Sequence, residues 1–181
     1  MKIQILISKS SWANIHKKTI LKKLKTISKD VFFIQNHKKI KSHFDINIIF
    51  SYFKIIPKKY LKKSKINLIP HESDLPKGKG MSPLTWQILE GKRKVFFSLI
   101  EANSKIDNGQ IYFKHSKIIN KNLIFEEIKK IQLDENIKLI LKFLKYYKKN
   151  NKAPKKISQI GKSTFYKKRT PQNSEINIKN S

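Results

Sequence analysis

The run 71–91, HESDLPKGKGMSPLTWQILEG, sets an imidazole at the mouth of a glycine-rich loop that leads straight into a helix. Imidazole takes up and releases protons near neutral pH, so a histidine placed this way is a candidate for general acid–base work or for stabilising a developing negative charge. Upstream, the apolar run INLIP at 66–70 is bounded by lysines and reads as a short buried strand ending at His71. Strand ends are where open α/β sheets put their chemistry. Downstream, Ser82 and Pro83 suit the N-cap and first residue of a helix, and Gly91 suits its stop. Each part also has a bland reading: a histidine at a strand end can simply cap a loop, and Gly78 and Gly80 are default turn formers. The other histidines, His16, His37, His43 and His115, lie in lysine-rich or alternating segments without a companion motif and are assigned no chemistry. His71 alone is followed by a glycine loop and, further on, by an acid-bearing turn at 106–109, which favours a site over a cap.

Other chemistries find little support. The first apolar run leads into SKSSWANIH, which lacks the Gly-x-Gly-x-x-Gly of a dinucleotide site, so NAD is not expected. Gly161-Lys162-Ser163 imitates the end of a P-loop, but Lys156 stands where the earlier glycine is required. His71-Glu72 begins like a zinc-protease motif, yet Leu75 occupies the second histidine position, so no metal is expected. Cysteine is absent, which excludes disulfides and thiolate metal sites and is compatible with a reducing cytoplasm. The apolar opening is too short for a signal peptide, and no run approaches the ~18 apolar residues that span a bilayer. The expectation is a soluble, cytoplasmic chain with no membrane span.

The formal net charge of +29 invites a nucleic-acid or anionic-membrane reading. Its make-up argues for compositional bias instead. Only Arg93 and Arg169 among the 41 basic residues are arginine, and lysine is scattered through every segment beside abundant isoleucine and asparagine. A dedicated phosphate surface more often includes arginine, whose planar fork grips phosphate in two places. Nucleic acid stays as the lesser alternative, and the positive field favours an anionic substrate.

The elements that must position His71 follow from hydrophobic period. At 181 residues and 39% hydrophobic content the chain can bury one ordinary core. KIQILIS suits a central parallel strand, and residues 14–27 carry Ile15, Ile20, Leu21, Leu24 and Ile27 at near-helical spacing. VFFIQ from Val31 and DINIIFSYF from Asp45 read as strands two and three, Pro57 interrupts, and INLIP, the 82–90 helix and a strand at 95–102 follow. A further strand is expected at 110–118, then two helices at 124–131 and 136–147. Alternating strands and helices imply an α/β fold: a single-domain, doubly wound, mostly parallel sheet flanked by helices. Residues 1–150 would form the catalytic domain and 151–181 a lysine-rich linker and C-terminal arm, with KKNNKAPKK exposed and the final NIKNS frayed.

The same segment resembles the formyltransferase family, which carries His-x-Ser-x-Leu-Pro, a glycine loop and a helix. Here those residues are His71, Ser73, Leu75, Pro76, Gly78 and Gly80. The family's later Asp-x-Gly-x-Ile element matches Asp107, Gly109 and Ile111, although Ile-Asp-Asn-Gly is also a plain turn sequence. KKRTPQNSEI is similar to the Arg-Thr-Pro-x-Asp segment of several sugar formyltransferases, with Asn173 in place of the acid. The resemblance implies a Rossmann-like fold and formyl transfer from 10-formyltetrahydrofolate to a primary amine. It makes His71 and Asp107 the catalytic pair. The amine attacks the formyl carbon, His71 stabilises or protonates the oxyanion, and Asp107 orients His71 and assists proton removal, directly or through water. A carboxylate beside the ring favours its cationic form.

By the same resemblance Ser51, Tyr52, Phe53 and Gly109 would contact the folate, with ordinary core the competing reading for Tyr52 and Phe53. Ser73, Gly78, Gly80 and Asn108 would serve the loop and the substrate. Trp86 and Leu89 read as packing residues, and Gln87 as facing the cleft. The implied acceptor is an amino sugar, most simply an anionic amino-sugar nucleotide, with methionyl-tRNA and glycinamide types as alternatives. The sugar group is preferred because few residues follow Tyr147 for an RNA-binding domain and because of KKRTPQNSEI. A catalytically weak basic binding protein of this fold is the reading from another class. One departure stands out: the family's usual asparagine two residues before the histidine, an oxyanion donor, is Ile69. Asn67 sits about 13 Å along the strand from His71 and is no simple replacement. Asn108, Ser73 or a backbone N–H of the glycine loop are the candidate substitutes.

Overall fold

The structure, a computed structural model, describes residues 1–120 and 122–174; NIKNS and the last two residues of KKRTPQNSEI lie outside them. The apolar run after Met1 forms β1 (Ile3–Leu6), buried along its whole length as a central strand must be. It is flanked by β2 (Val31–Ile34) and β3 (Phe44–Ile49), both parallel to it, and β4 (Ser64–His71) adds parallel to β3. Beyond β4 the pairing changes: β6 (Lys94–Glu101) runs antiparallel to β4 and β7 (Ile111–Ile118) antiparallel to β6, giving the order β2-β1-β3-β4-β6-β7. This is the mostly parallel sheet expected, with an antiparallel edge. The strand β5 (Lys79–Gly80) stands apart and pairs with β8 (Phe165–Tyr166).

Alternation along the strands divides the core. Ile3, Ile5, Ile46, Ile48, Leu68, Val95, Phe97 and Leu99 belong to a cluster with Ile20 and Leu24 of α1 (Lys17–Lys25) and with Leu133, Ile137, Ile140, Phe143 and Leu144 of α4 (Phe125–Asn150). Leu6 and Ile49 point the other way, onto Ile40, Ile56 and Leu61, the last from the single-turn helix α2 (Lys58–Leu61). One face thus carries long helices and the other a thin cover.

Several boundaries move for physical reasons. Residues 12–16 form a 3-10 turn capped by Ser11, whose hydroxyl accepts the Ala13 N–H at 3.1 Å, so α1 begins later than the apolar spacing suggests. Strand three stops at Ile49 because Ser51 takes φ 52°, turning SYF out of the sheet. The two helices expected at 124–131 and 136–147 are one helix of 26 residues: QLDEN contains no proline or glycine to break it, and its buried polar side chains, Gln132, Glu135 and Asn136, are bonded rather than solvated. Asn136 Nδ2 donates to Glu72 Oε1 at 2.6 Å, and Glu135 Oε2 lies 2.7 Å from His115 Nε2. Among the described residues no helix is long and apolar enough to cross a membrane.

Candidate active site

Strand β4 delivers His71, its last paired residue, opposite Ser98 of β6. The chain then turns tightly: Ser98 Oγ donates to the Ser73 carbonyl at 2.7 Å, and buried Leu75 anchors the loop against Ile100 and Ile111. Gly78 follows at φ 73°, and its carbonyl meets His71 Nε2 at 2.9 Å. A carbonyl only accepts, so Nε2 carries the hydrogen and Nδ1 is left as the exchangeable nitrogen. Gly80, at φ 97°, donates its N–H to Asp107 Oδ2 at 2.8 Å. Asp107 Oδ1 lies 3.7 Å from His71 Nδ1, with both side chains largely buried. That spacing sets the carboxylate beside the ring nitrogen without a formed hydrogen bond. The helix α3 (Pro83–Leu89) follows, with Ser82 at its N-cap position in the left-handed region but without a side-chain capping bond; Gly91 at φ 73° ends it.

A cavity of about 300 Å³ opens over this pair. Ser51, Tyr52, Phe53, Ile55, Ile56 and Ile69 supply an apolar stretch of its wall, and Trp12, Glu72, Lys129 and Gln132 a more polar one. Its volume is at the lower end for small-molecule sites, and apolar walls beside a few polar groups suit a small ligand held at one polar end. Of the expected folate contacts, Ser51, Tyr52 and Phe53 line this cavity, and Tyr52 also holds His37, its hydroxyl 2.8 Å from Nδ1. Gly109 does not line it. Its lack of a side chain answers a backbone need, since a Cβ there would sit 1.5 Å from the Glu101 carbonyl oxygen.

The structure brings none of the candidate substitutes for the missing asparagine to the cavity as a free donor. Asn108 and Ser73 are not cavity-lining residues; Asn108 Oδ1 accepts from the buried Lys79 Nζ at 2.7 Å, and Ser73 Oγ is buried without a hydrogen-bond partner. The amides of Gly78, Lys79, Gly80 and Met81 donate to Thr164 Oγ1, the Thr164 carbonyl, Asp107 and the Tyr166 carbonyl. Asn67 is buried between Asn47 and the Leu61 carbonyl. Ile69 does line the cavity. Gln87 does not face it: its Nε2 donates at 2.6 Å to the Glu72 carbonyl. Leu89, expected to pack, is exposed, whereas Trp86 stacks on Tyr166.

Among the cavity residues that the sequence did not single out are two charged ones, Glu72 and Lys129. Glu72 was visible only as half of a failed zinc motif, and Lys129 is one lysine among many. Burial pushes the Lys129 ammonium down from the ordinary lysine value, with Glu72 opposing, and it lies 5.0 Å from the Trp12 ring centre.

A strand-end histidine paired with an aspartate over an apolar cavity is the geometry that the motifs anticipated, and the family model described as formyl transferase matches residues 7–144. The chain belongs to this family. Among curated relatives, the methionyl-tRNA formyltransferase of Buchnera aphidicola subsp. Acyrthosiphon pisum is 37% identical over 127 residues, 64% of this chain and 40% of that protein. That of Rickettsia prowazekii is 30% identical over 134 residues, 74% of this chain and 43% of that protein. The chain therefore spans about two fifths of the length of these relatives. Among solved structures, a methionyl-tRNA formyltransferase from Clostridium thermocellum has a TM-score of 0.76 at 24% identity, covering 98% of this chain and 77% of that one. The formyltransferase PseJ from Anoxybacillus kamchatkensis, in complex with UDP-4,6-dideoxy-4-formamido-L-AltNAc and tetrahydrofolate, has 0.71 at 20%, covering 92% and 86%. These likenesses establish the formyltransferase fold.

Proposed function

We propose that the chain transfers a formyl group from 10-formyltetrahydrofolate to a primary amine, with His71 and Asp107 as the catalytic pair. The observation that carries this reading is the 3.7 Å approach of Asp107 Oδ1 to His71 Nδ1 within the cavity. The apolar wall at Tyr52, Phe53 and Ile56 fits a folate ring system, which when bound would supply the formyl group. Beside it, the amine nitrogen would attack the formyl carbon while Nδ1–H of the protonated His71 ring donates towards the oxygen on which negative charge develops, and Asp107, directly or through water, would take the proton that leaves the amine and return it to the folate nitrogen as the bond from that nitrogen to the formyl carbon breaks. Asp107, held by the Gly80 N–H, keeps the ring oriented and balances its positive charge. With Ile69 in the usual asparagine position, His71 carries more of the oxyanion stabilisation.

For the acceptor, the reading favoured here is an anionic amino-sugar nucleotide. It is supported by the sugar-type segment at 167–176, where the Asn173 side chain accepts the Thr170 N–H at 2.8 Å and the Arg169 guanidinium lies 5.3 Å from the Trp86 ring, and by the positive field of the chain. Methionyl-tRNA is the second reading, favoured by the names of the curated relatives. Incubation with 10-formyltetrahydrofolate and, separately, a panel of aminodeoxy sugar nucleotides and charged initiator tRNA separates them. N-formylation of a sugar amine supports the first; product only on the tRNA replaces it with the second; none on either, together with salt-sensitive RNA binding, would leave a non-catalytic basic binding protein.

A further inference from the structure

Beyond the family-matched residues 7–144, the segment 157–166 runs beside the site without lining its cavity and bonds to both loops that flank its polar pair. Ile157 exchanges two backbone hydrogen bonds with Ile111, at 2.8 and 2.9 Å. Gln159 Nε2 donates to the carbonyls of Asp107 and Gly109, both at 2.8 Å. Thr164 Oγ1 accepts the Gly78 N–H at 2.8 Å, and the Thr164 carbonyl accepts the Lys79 N–H at 2.9 Å. The peptide joining Gly78 to Lys79 is therefore gripped at both ends, its N–H by Thr164 and its C=O by His71 Nε2. Peptide units are planar, so a plane fixed at its N–H cannot swing its carbonyl away from the imidazole without losing a bond. The fit is close: a Cβ at Gly80 would lie 2.3 Å from the Tyr166 carbonyl oxygen.

A segment that only tied off the fold would bury its large apolar side chains. Here Ile157, Ile160 and Phe165 are 60%, 87% and 65% exposed, so polar bonds at the site hold the segment more than core burial does. We infer that residues 157–166 form a strap that positions the reacting pair. Thr164 acts through the two peptides that meet at Gly78, its hydroxyl holding the Gly78 N–H and its carbonyl the Lys79 N–H, on the tautomer and angle of the His71 ring, and Gln159 acts through the Asp107 and Gly109 carbonyls on the Asp107 carboxylate. Both are positioning residues for the proposed formyl transfer, and the inference rests on that reading only for its kinetic readout.

The test uses the full chain, ¹⁵N-labelled, with the ring nitrogens of His71 observed by NMR in wild type and in the Thr164→Val, Thr164→Ser and Gln159→Glu variants. Wild type is expected to show the Nε2–H tautomer of the neutral ring. Thr164→Val removes the hydroxyl acceptor at nearly constant shape and should mix the tautomers, while Thr164→Ser, which keeps the oxygen, should restore the wild-type pattern. With 10-formyltetrahydrofolate and an accepted amine, Thr164→Val and Gln159→Glu should lower kcat on the order of tenfold to a hundredfold, as small misplacements do. KM for the formyl donor should stay within about twofold. If Thr164→Val does not fold, Gln159→Glu and the serine variant carry the comparison. A wild-type ring spectrum in folded Thr164→Val, or a wild-type kcat in folded Thr164→Val or Gln159→Glu, would overturn the strap. Altered ring spectra in a chain that formylates nothing would keep the strap and overturn the proposed activity instead.

Discussion

Because the Gly78 carbonyl can only accept, His71 has one nitrogen committed to the loop and one facing Asp107. The role of Asp107 then divides into charge and geometry. Asp107→Asn keeps an oxygen for the Gly80 N–H but removes the charge beside Nδ1, so kcat is expected to fall about a hundredfold or more while the melting temperature stays near wild type. Steady-state kinetics with parallel thermal melts check this; a wild-type kcat would remove Asp107 from the mechanism. At this scale the sequence was most informative where glycine, proline, histidine and aspartate punctuate it, as at His71, Gly78, Gly80 and Asp107. It was silent on Thr164, whose partner Gly78 lies 86 positions away. Its hydroxyl matters through placement alone, and a threonine in a lysine-rich tail carries no local signal.

Helix α4 is the element on which the sheet's main face depends. Phe143 is fully buried and meets the Tyr112 ring at 4.7 Å, so Phe143→Ala should cost about 3–5 kcal/mol of stability, measured by denaturant unfolding. The contact between β7 and α4 also sets a pH dependence. Burial lowers the His115 ring below its ordinary 6.5 despite the opposing pull of Glu135. The unfolded chain then binds the proton more readily, so this contribution is fully present above about pH 6.5 and is lost as pH falls through the lower folded value. Melting temperature should therefore drop more steeply from about pH 7 to about pH 5 in wild type than in His115→Gln; equal slopes would show that the ring is not held neutral. Strand positions were legible because burial and β-propensity coincide in INLIP and VFFSLIEA. The continuity of α4 was not, because Gln132, Glu135 and Asn136 interrupt the apolar stripe in sequence while finding polar partners in space.

Over the whole molecule the charge of +29 and the site make separable demands. Lysine fields act at long range and are screened, so binding of any polyanion should weaken severalfold or more between about 50 and about 200 mM salt, whereas turnover at saturating substrate should change little. Filter binding and initial rates at the two salt concentrations check this; turnover that collapses with binding would make the field part of the reaction. The fold class was readable from the alternation of strands and helices, but the antiparallel edge formed by β6 and β7 was not, since either direction buries the same residues. The central claim is that the cavity over His71 and Asp107 performs formyl transfer. The most direct measurement is the rate of tetrahydrofolate release from 10-formyltetrahydrofolate in the presence of an accepted amine, for wild type and for His71→Ala. Wild type should turn over and His71→Ala should fall by about 10²–10⁴-fold, the range for losing an acid–base group; equal rates in the two proteins, or no release with any amine, would contradict it.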